Sequence, residues 1–117
     1  MKKFYYLGTC DTCKRILKEL DLPADTEMTD VKKSPLTAGD LEHLYQLSGS
    51  YEALLNKRSQ LYKQRGLKDQ TLTEEAIRDL ILEHYTFLKR PVLVVDDKIF
   101  IGNAKNTVAE AKACLSK

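Results

Sequence analysis

The stretch Tyr6-Leu7-Gly8-Thr9-Cys10-Asp11-Thr12-Cys13-Lys14 (YLGTCDTCK, residues 6–14) decides how the rest of the chain is read. Just before it, Lys3 to Leu7 is rich in aromatic residues and runs into Gly8 and Thr9, which predicts a strand entering a turn. Just after it, Cys13, Ile16, Leu17 and Leu20 recur at helical spacing, with Lys14, Arg15, Lys18 and Glu19 on the other face. A helix is therefore expected over Asp11 to Leu20, stopped by Pro23. With Thr26 to Val31 as the next strand, the three elements make a βαβ unit. A Cys-x-x-Cys directly after the first strand of such a unit is the signature of a thioredoxin-like fold.

Further along, Pro35 and Thr37 open a second helix, with Thr37 as N-cap, Asp40 in the third helical position and Leu41, Leu44 and Tyr45 as its apolar face; Ser48 and Gly49 end it. Short helical pieces are expected around Tyr51 to Leu55 and Ser59 to Lys63. A clearer helix starts at Thr73, with Ala76, Ile77, Leu80, Ile81 and His84 on one stripe. The period then changes. Val92 to Val95 and Lys98 to Ile101 are β-branched runs separated by Asp96 and Asp97, which predicts a hairpin, and a last helix is expected from about Thr107 to Leu115. The order β-α-β, helical insertion over about 36–88, β-β-α implies an α/β fold with a mixed four-stranded sheet.

Length and composition set the bounds. At 117 residues the chain has the size of one domain, and 43% hydrophobic with 31% charged residues excludes collagen-like, low-complexity and disordered classes. A net charge of +2 is too balanced for a dedicated nucleic-acid binder, so no direct nucleic-acid partner is expected. No apolar run approaches the ~20 residues of a membrane span, so no membrane partner is expected either. The basic start reaches Gly8 without the apolar core of a signal peptide, which points to the cytoplasm. In that reducing setting a static disulfide framework is not expected from three cysteines.

A cysteine at a helix start has its thiolate stabilised by unsatisfied backbone N–H groups and the helix dipole, and Cys10 holds that place. Cys13, at the head of the apolar stripe, should be more buried, as suits a thiol that resolves a mixed disulfide on Cys10. Lys14 and Arg15 favour the thiolate and Asp11 opposes it. The competing reading is two small apolar side chains at a helix start. Zinc lacks the rest of a tetrahedral ligand set, so no metal is expected. Cys114 beside Leu115 reads as packing, His43 as solvated and His84 as a satisfied core or edge histidine. The cations from Lys57 to Arg65 read as a solvated helix face.

Taken together, YLGTCDTCK (6–14), ALLNKRSQLYKQRGL (53–67), Glu83-His84, KRPVLVV (89–95) and KIFIGN (98–103) resemble the arsenate reductase (ArsC)-like family, which includes the Spx regulators. The resemblance implies a thioredoxin-like fold with a helical insertion, a nucleophilic cysteine at Cys10, an arginine before a cis-proline at Arg90 and Pro91, and thiol chemistry without metal or organic cofactor. It implies a substrate site formed by Thr9, Asp11, Thr12, Lys14, Asn56, Arg58, Pro91 and Asn103. Glutathione or glutaredoxin would be the external thiol donor.

Two departures matter. The arsenate reductases of this family hold their oxyanion with arginines, and Asn56 and Asn103 take two of those places here, leaving Arg90. A neutral amide cannot supply the charge-assisted bidentate bonds of an arginine, so arsenate activity is expected to be weak unless Arg58 or Lys105 leans in. Those reductases also lack a cysteine at the place of Cys13, where Spx-type regulators carry one. Three functions follow as expectations. The first is a thiol-dependent oxidoreductase working with a small thiol or a thiol-disulfide protein. The second is an Spx-like regulator binding RNA polymerase and switched by a Cys10–Cys13 disulfide, against which Ser50 stands where those regulators carry glycine. The third is an interaction domain with inert thiols.

Overall fold

Phe4 and Leu93 face each other across neighbouring strands, and both are buried; the sheet grows outward from that pair. β1 (Lys2–Tyr6) is central. It pairs in parallel with β2 (Glu27–Asp30) and antiparallel with β3 (Val92–Val95), and β3 pairs antiparallel with β4 (Lys98–Ile101), giving the order β2-β1-β3-β4. This is the expected mixed four-stranded sheet. The computed structural model describes residues 2–116. The chain divides into two compact units, Met1–Ser34 with Arg90–Lys117, and Pro35–Lys89.

The first unit holds the sheet with α1 (Asp11–Leu20) and α5 (Lys105–Leu115). Because side chains alternate along a strand, Phe4, Leu93 and Val95 share one face. They form a single buried cluster with Ile16 and Leu20 of α1 and Val108 and Ala111 of α5. Each such side chain contributes on the order of 1.5–3 kcal/mol by leaving water. Cys114 packs half-buried against this cluster.

α1 has the expected bounds and differs only in what stops it, whereas β1, β2 and α5 differ in their bounds, β1 by one residue at each end. α1 stops at Asp21, which takes a left-handed conformation (φ 50°) and donates its N–H to the Leu17 carbonyl (3.3 Å), so Pro23 is not the stop. β2 is shorter than Thr26 to Val31 because the Thr26 N–H is drawn into a turn with the Pro23 carbonyl (3.0 Å). α5 starts at Lys105 rather than Thr107, after Ala104, which has no side chain to cap a helix and so leaves no mark in the sequence.

The second unit is helical: α2 (Ala38–Ser48), α3 (Gln60–Gln64) and α4 (Glu74–Glu83), joined by 3-10 turns at Glu52–Leu54, Leu67–Asp69 and Tyr85–Phe87. Thr37 and Asp40 make a reciprocal capping box: the Thr37 hydroxyl accepts from the Asp40 N–H (3.1 Å) and the Asp40 carboxylate from the Thr37 N–H (3.2 Å). Gly49 ends α2 at φ 79°, where a residue with a Cβ is strained. Of the stripe expected on α4, Ile77 and Ile81 are buried, whereas His84 leaves the helix; its Nδ1 accepts from the Thr86 N–H (3.1 Å). His43 is half-buried rather than solvated. Leu54 to Asn56 and Phe87 to Lys89 lie antiparallel, with Asn56 N–H to Phe87 C=O and Lys89 N–H to Leu54 C=O both 2.8 Å. No helix among the described residues is long and apolar enough to cross a membrane.

Candidate active site

β1 ends at Tyr6, and the chain turns sharply into α1: the Cys10 N–H donates to the Leu7 carbonyl (3.0 Å), and the Cys10 carbonyl accepts the first helical bond, from Lys14 (3.1 Å). Cys10 is thus the N-cap residue, extended at φ −90° and ψ 117°. The turn is tight against the end of β2. A Cβ placed on Gly8 would lie 2.5 Å from the Asp30 carboxylate, whose other oxygen accepts from the Lys32 N–H (3.1 Å). A side chain at residue 8 would have to displace the Asp30 carboxylate, so glycine is favoured there by close approach rather than by φ.

The two thiols sit in different environments. Cys10 is half-buried and Cys13 is 1% exposed, and both are free thiols. Burial is the largest influence on Cys10 and pulls its pKa up. It is outweighed by hydrogen bonds from the Cys13 N–H, the Cys13 thiol and the Thr12 N–H, with the Arg90 charge adding to them, so the Cys10 thiol lies below its ordinary value. Burial pushes Cys13 up to about 11, helped by its bond to Cys10 and the Cys10 charge, against the Leu7 N–H and Arg90. Of the two thiols, Cys13 therefore holds its proton more tightly than Cys10. Chemically this is a half-buried, more acidic thiol with a less acidic thiol buried behind it.

Arg90 is half-buried, and the peptide bond between it and Pro91 is cis; the Pro91 carbonyl accepts from the Gly102 N–H (2.9 Å). The structure brings Arg90 close enough for its charge to act on both thiols. Thr12 contributes through its backbone. Thr9, Asp11 and Lys14 are exposed around the turn, and Asn103 and Lys105 are exposed between Gly102 (φ 92°) and the start of α5.

Asn56 and Arg58 belong to the second unit. There the Asn56 amide is engaged on both sides, its Nδ2 donating to the Thr86 carbonyl (3.2 Å) and its Oδ1 accepting from the Arg58 N–H (3.1 Å), while the Arg58 side chain is exposed. That places Asn56 in the framework of its own turn. Sequence reasoning missed the backbone donors of Leu7, Thr12 and Cys13 and the carboxylate of Asp30; Gly8 was the one signal of a close approach. Among the described residues no three His, Cys, Asp or Glu side chains come together as a metal site requires.

With that geometry in view, the likeness to known proteins takes on meaning. The chain is 27% identical to the uncharacterized protein YfgD of Escherichia coli over 111 residues, covering 92% of this chain and 93% of that one. It is 32% identical to an uncharacterized protein of Haemophilus influenzae over 104 residues, covering 84% and 87%. Its fold matches an arsenate reductase from Vibrio cholerae with a TM-score of 0.78 at 22% identity, over 94% of this chain and 96% of that one. The pattern of the ArsC family matches residues 5–111, from the middle of β1 through the Cys10 turn and the helical insertion into α5, and the chain therefore belongs to the ArsC family.

Proposed function

We propose that this protein is a thiol-dependent oxidoreductase with an arsenate reductase-like fold, in which Cys10 is the nucleophile and Cys13 the resolving thiol. The observation that carries this reading is the pairing at the start of α1: a half-exposed sulfur receiving hydrogen bonds from the Thr12 and Cys13 N–H groups, backed by the buried thiol of Cys13. The Cys10 thiolate attacks one sulfur of an oxidised thiol substrate, the S–S bond breaks, and the other sulfur leaves as a thiolate. In the mixed disulfide the Cys10 charge is gone, so two of the influences holding the Cys13 pKa up, its bond to Cys10 and the charge there, lapse together. Cys13 then loses its proton, attacks Cys10 and releases the second thiolate. A two-electron thiol donor, glutathione or a glutaredoxin, restores the pair.

Arsenate reduction is a poor fit as the natural task. Of the arginine places that resemblance assigns to oxyanion binding, Arg90 alone is basic, and the Asn56 amide is committed to Thr86 and Arg58. The alternative, an Spx-like regulator, would use the same cysteine pair as a switch for polymerase binding. The decisive experiment is reduction of hydroxyethyl disulfide with peptide mapping of the oxidised protein. A Cys10–Cys13 link with Cys114 free supports the oxidoreductase reading. Faster alkylation of Cys13 than of Cys10 at neutral pH reverses the assigned roles, and a protein that does not reduce the disulfide sinks the reading.

A further inference from the structure

The two ends of the sheet treat their cations differently. At the end where β1 begins, Lys2 and Lys3 lie 3.9 Å from the carboxylates of Asp25 and Glu27. At the other end, β1 and β2 run in parallel into the Cys10 turn and the Asp30–Ser34 turn, tied by Val31 N–H to Tyr6 C=O (2.9 Å) and by the contact of Gly8 with Asp30. Four exposed cations surround that end, Lys14 and Arg15 on α1 and Lys32 and Lys33 after β2. Among the described residues none of the four is held in an ion pair. The nearby carboxylates offset them only in part: Asp30, which accepts from the Lys32 backbone N–H, and Asp11, the one acid in the first turn of α1, are two negative charges against four positive ones.

We infer that this rim of uncommitted cations selects the substrate: the Cys10 turn takes disulfides of carboxylate-bearing thiols in preference to neutral or cationic ones. The inference rests on Cys10 being the attacking thiol. An anionic disulfide is concentrated at the rim before any bond changes. Cys10 then bonds to one sulfur, and the electron pair of the broken S–S bond leaves on the other as a carboxylate-bearing thiolate. Cys13 gives its proton to water and displaces the second thiolate, so the two electrons of the dithiol end on the substrate.

Three disulfides of similar aliphatic skeleton test it: dithiodipropionate (dianionic), hydroxyethyl disulfide (neutral) and cystamine (dicationic). Each rate with the reduced protein is divided by that with 2-mercaptoethanol. At low ionic strength the dianion should react about tenfold faster than the dication, a gap that closes near 1 M salt, where screening acts within ~3 Å. The double variant Lys32→Glu with Lys33→Glu should lower the dianion-to-neutral ratio severalfold; Lys32→Gln with Lys33→Gln should lower it less. Lys98→Glu, beside the opposite end of the sheet, should leave it alone. A dianion-to-dication ratio near one, or a ratio that the Lys32 and Lys33 variants do not move, overturns the inference while leaving the nucleophile in place. No reaction of Cys10 even with hydroxyethyl disulfide overturns the thiol reading and this inference with it.

Discussion

In the unit 35–89, polar side chains are spent on the chain's own turns. Glu74 accepts from the Tyr51 and Glu52 N–H groups (2.7 and 3.2 Å), Asn56 bridges Thr86 and Arg58, Arg65 pairs with Glu83 while lying over the Phe87 ring, and Thr73 caps α4. Around Cys10 in the other unit the pattern is reversed. Backbone N–H groups are spent on a side-chain sulfur, and Lys14, Arg15, Lys32 and Lys33 are left uncommitted. A segment broken into three helices and three 3-10 turns has many helix ends with unsatisfied backbone groups, so its side chains must serve them. The other unit pairs much of its backbone strand to strand, with only two helices, and leaves side chains over for chemistry.

Substitutions in each unit should act on different properties of the protein. The largest effect should come from Cys10→Ala, which is expected to remove disulfide reduction by at least about a thousandfold, on the scale of losing a nucleophile, while the melting temperature stays close to that of the parent. A variant that keeps substantial activity would show that the uncommitted end of the sheet is not the reactive one. On the other side, Asn56→Ala should cost about 1–3 kcal/mol in denaturant unfolding, because the Thr86 carbonyl and the Arg58 N–H both lose a partner, and should leave the ultraviolet thiolate titration of Cys10 where it was. A shift of that titration would mean the insertion reaches into the thiol chemistry.

Thr73→Ala should cost about 1 kcal/mol, the usual value of an N-cap hydroxyl, again with unchanged thiol reactivity. Arg90→Ala should raise the Cys10 pKa, since its charge favours the thiolate, and the pH dependence of iodoacetamide labelling should move upward accordingly.

The smallest effect is a slope in alkaline stability. Cys13, with its folded pKa raised to about 11, contributes stability that is complete below the ordinary thiol value of 9.0 and is lost as pH rises through about 11. Cys10, with a lowered folded pKa, acts in the opposite sense, its contribution present above the unfolded value and lost as pH falls through the folded one. Replacing Cys13 by Ala should therefore flatten the fall in melting temperature over that alkaline range; an unaltered slope would show that Cys13 is not held protonated.

How much of this was legible in the sequence differs between the two units for the same reason. The strands, α1 and the hairpin could be read because apolar periodicity reports burial directly, as with Cys13, Ile16 and Leu20 on α1. The 3-10 turns at Leu67–Asp69 and Tyr85–Phe87 were not read, because three residues are too few to show a period; the second is also tied by the Asn56–Thr86 bond, 30 residues apart, that no local pattern encodes. Within the site, the cysteines announced themselves by spacing. The backbone donors that divide the proton between them carry no residue signature, and Asp30 was visible only through the glycine it presses on.

The left-handed backbone at Asp21 has an engineering consequence. A residue with a Cβ at φ 50° gives up on the order of 1 kcal/mol, and a carboxylate at the C-terminal end of α1 sits against the negative pole of the helix dipole. Asp96 repeats the first of these costs at φ 55° in the hairpin. Asp21 closes the helix that Cys10 opens, at its other end, so the strain lies apart from the thiols. Headroom for directed evolution is thus built into the scaffold: Asp21→Gly releases stability that destabilising but useful changes around the Cys10 turn can consume.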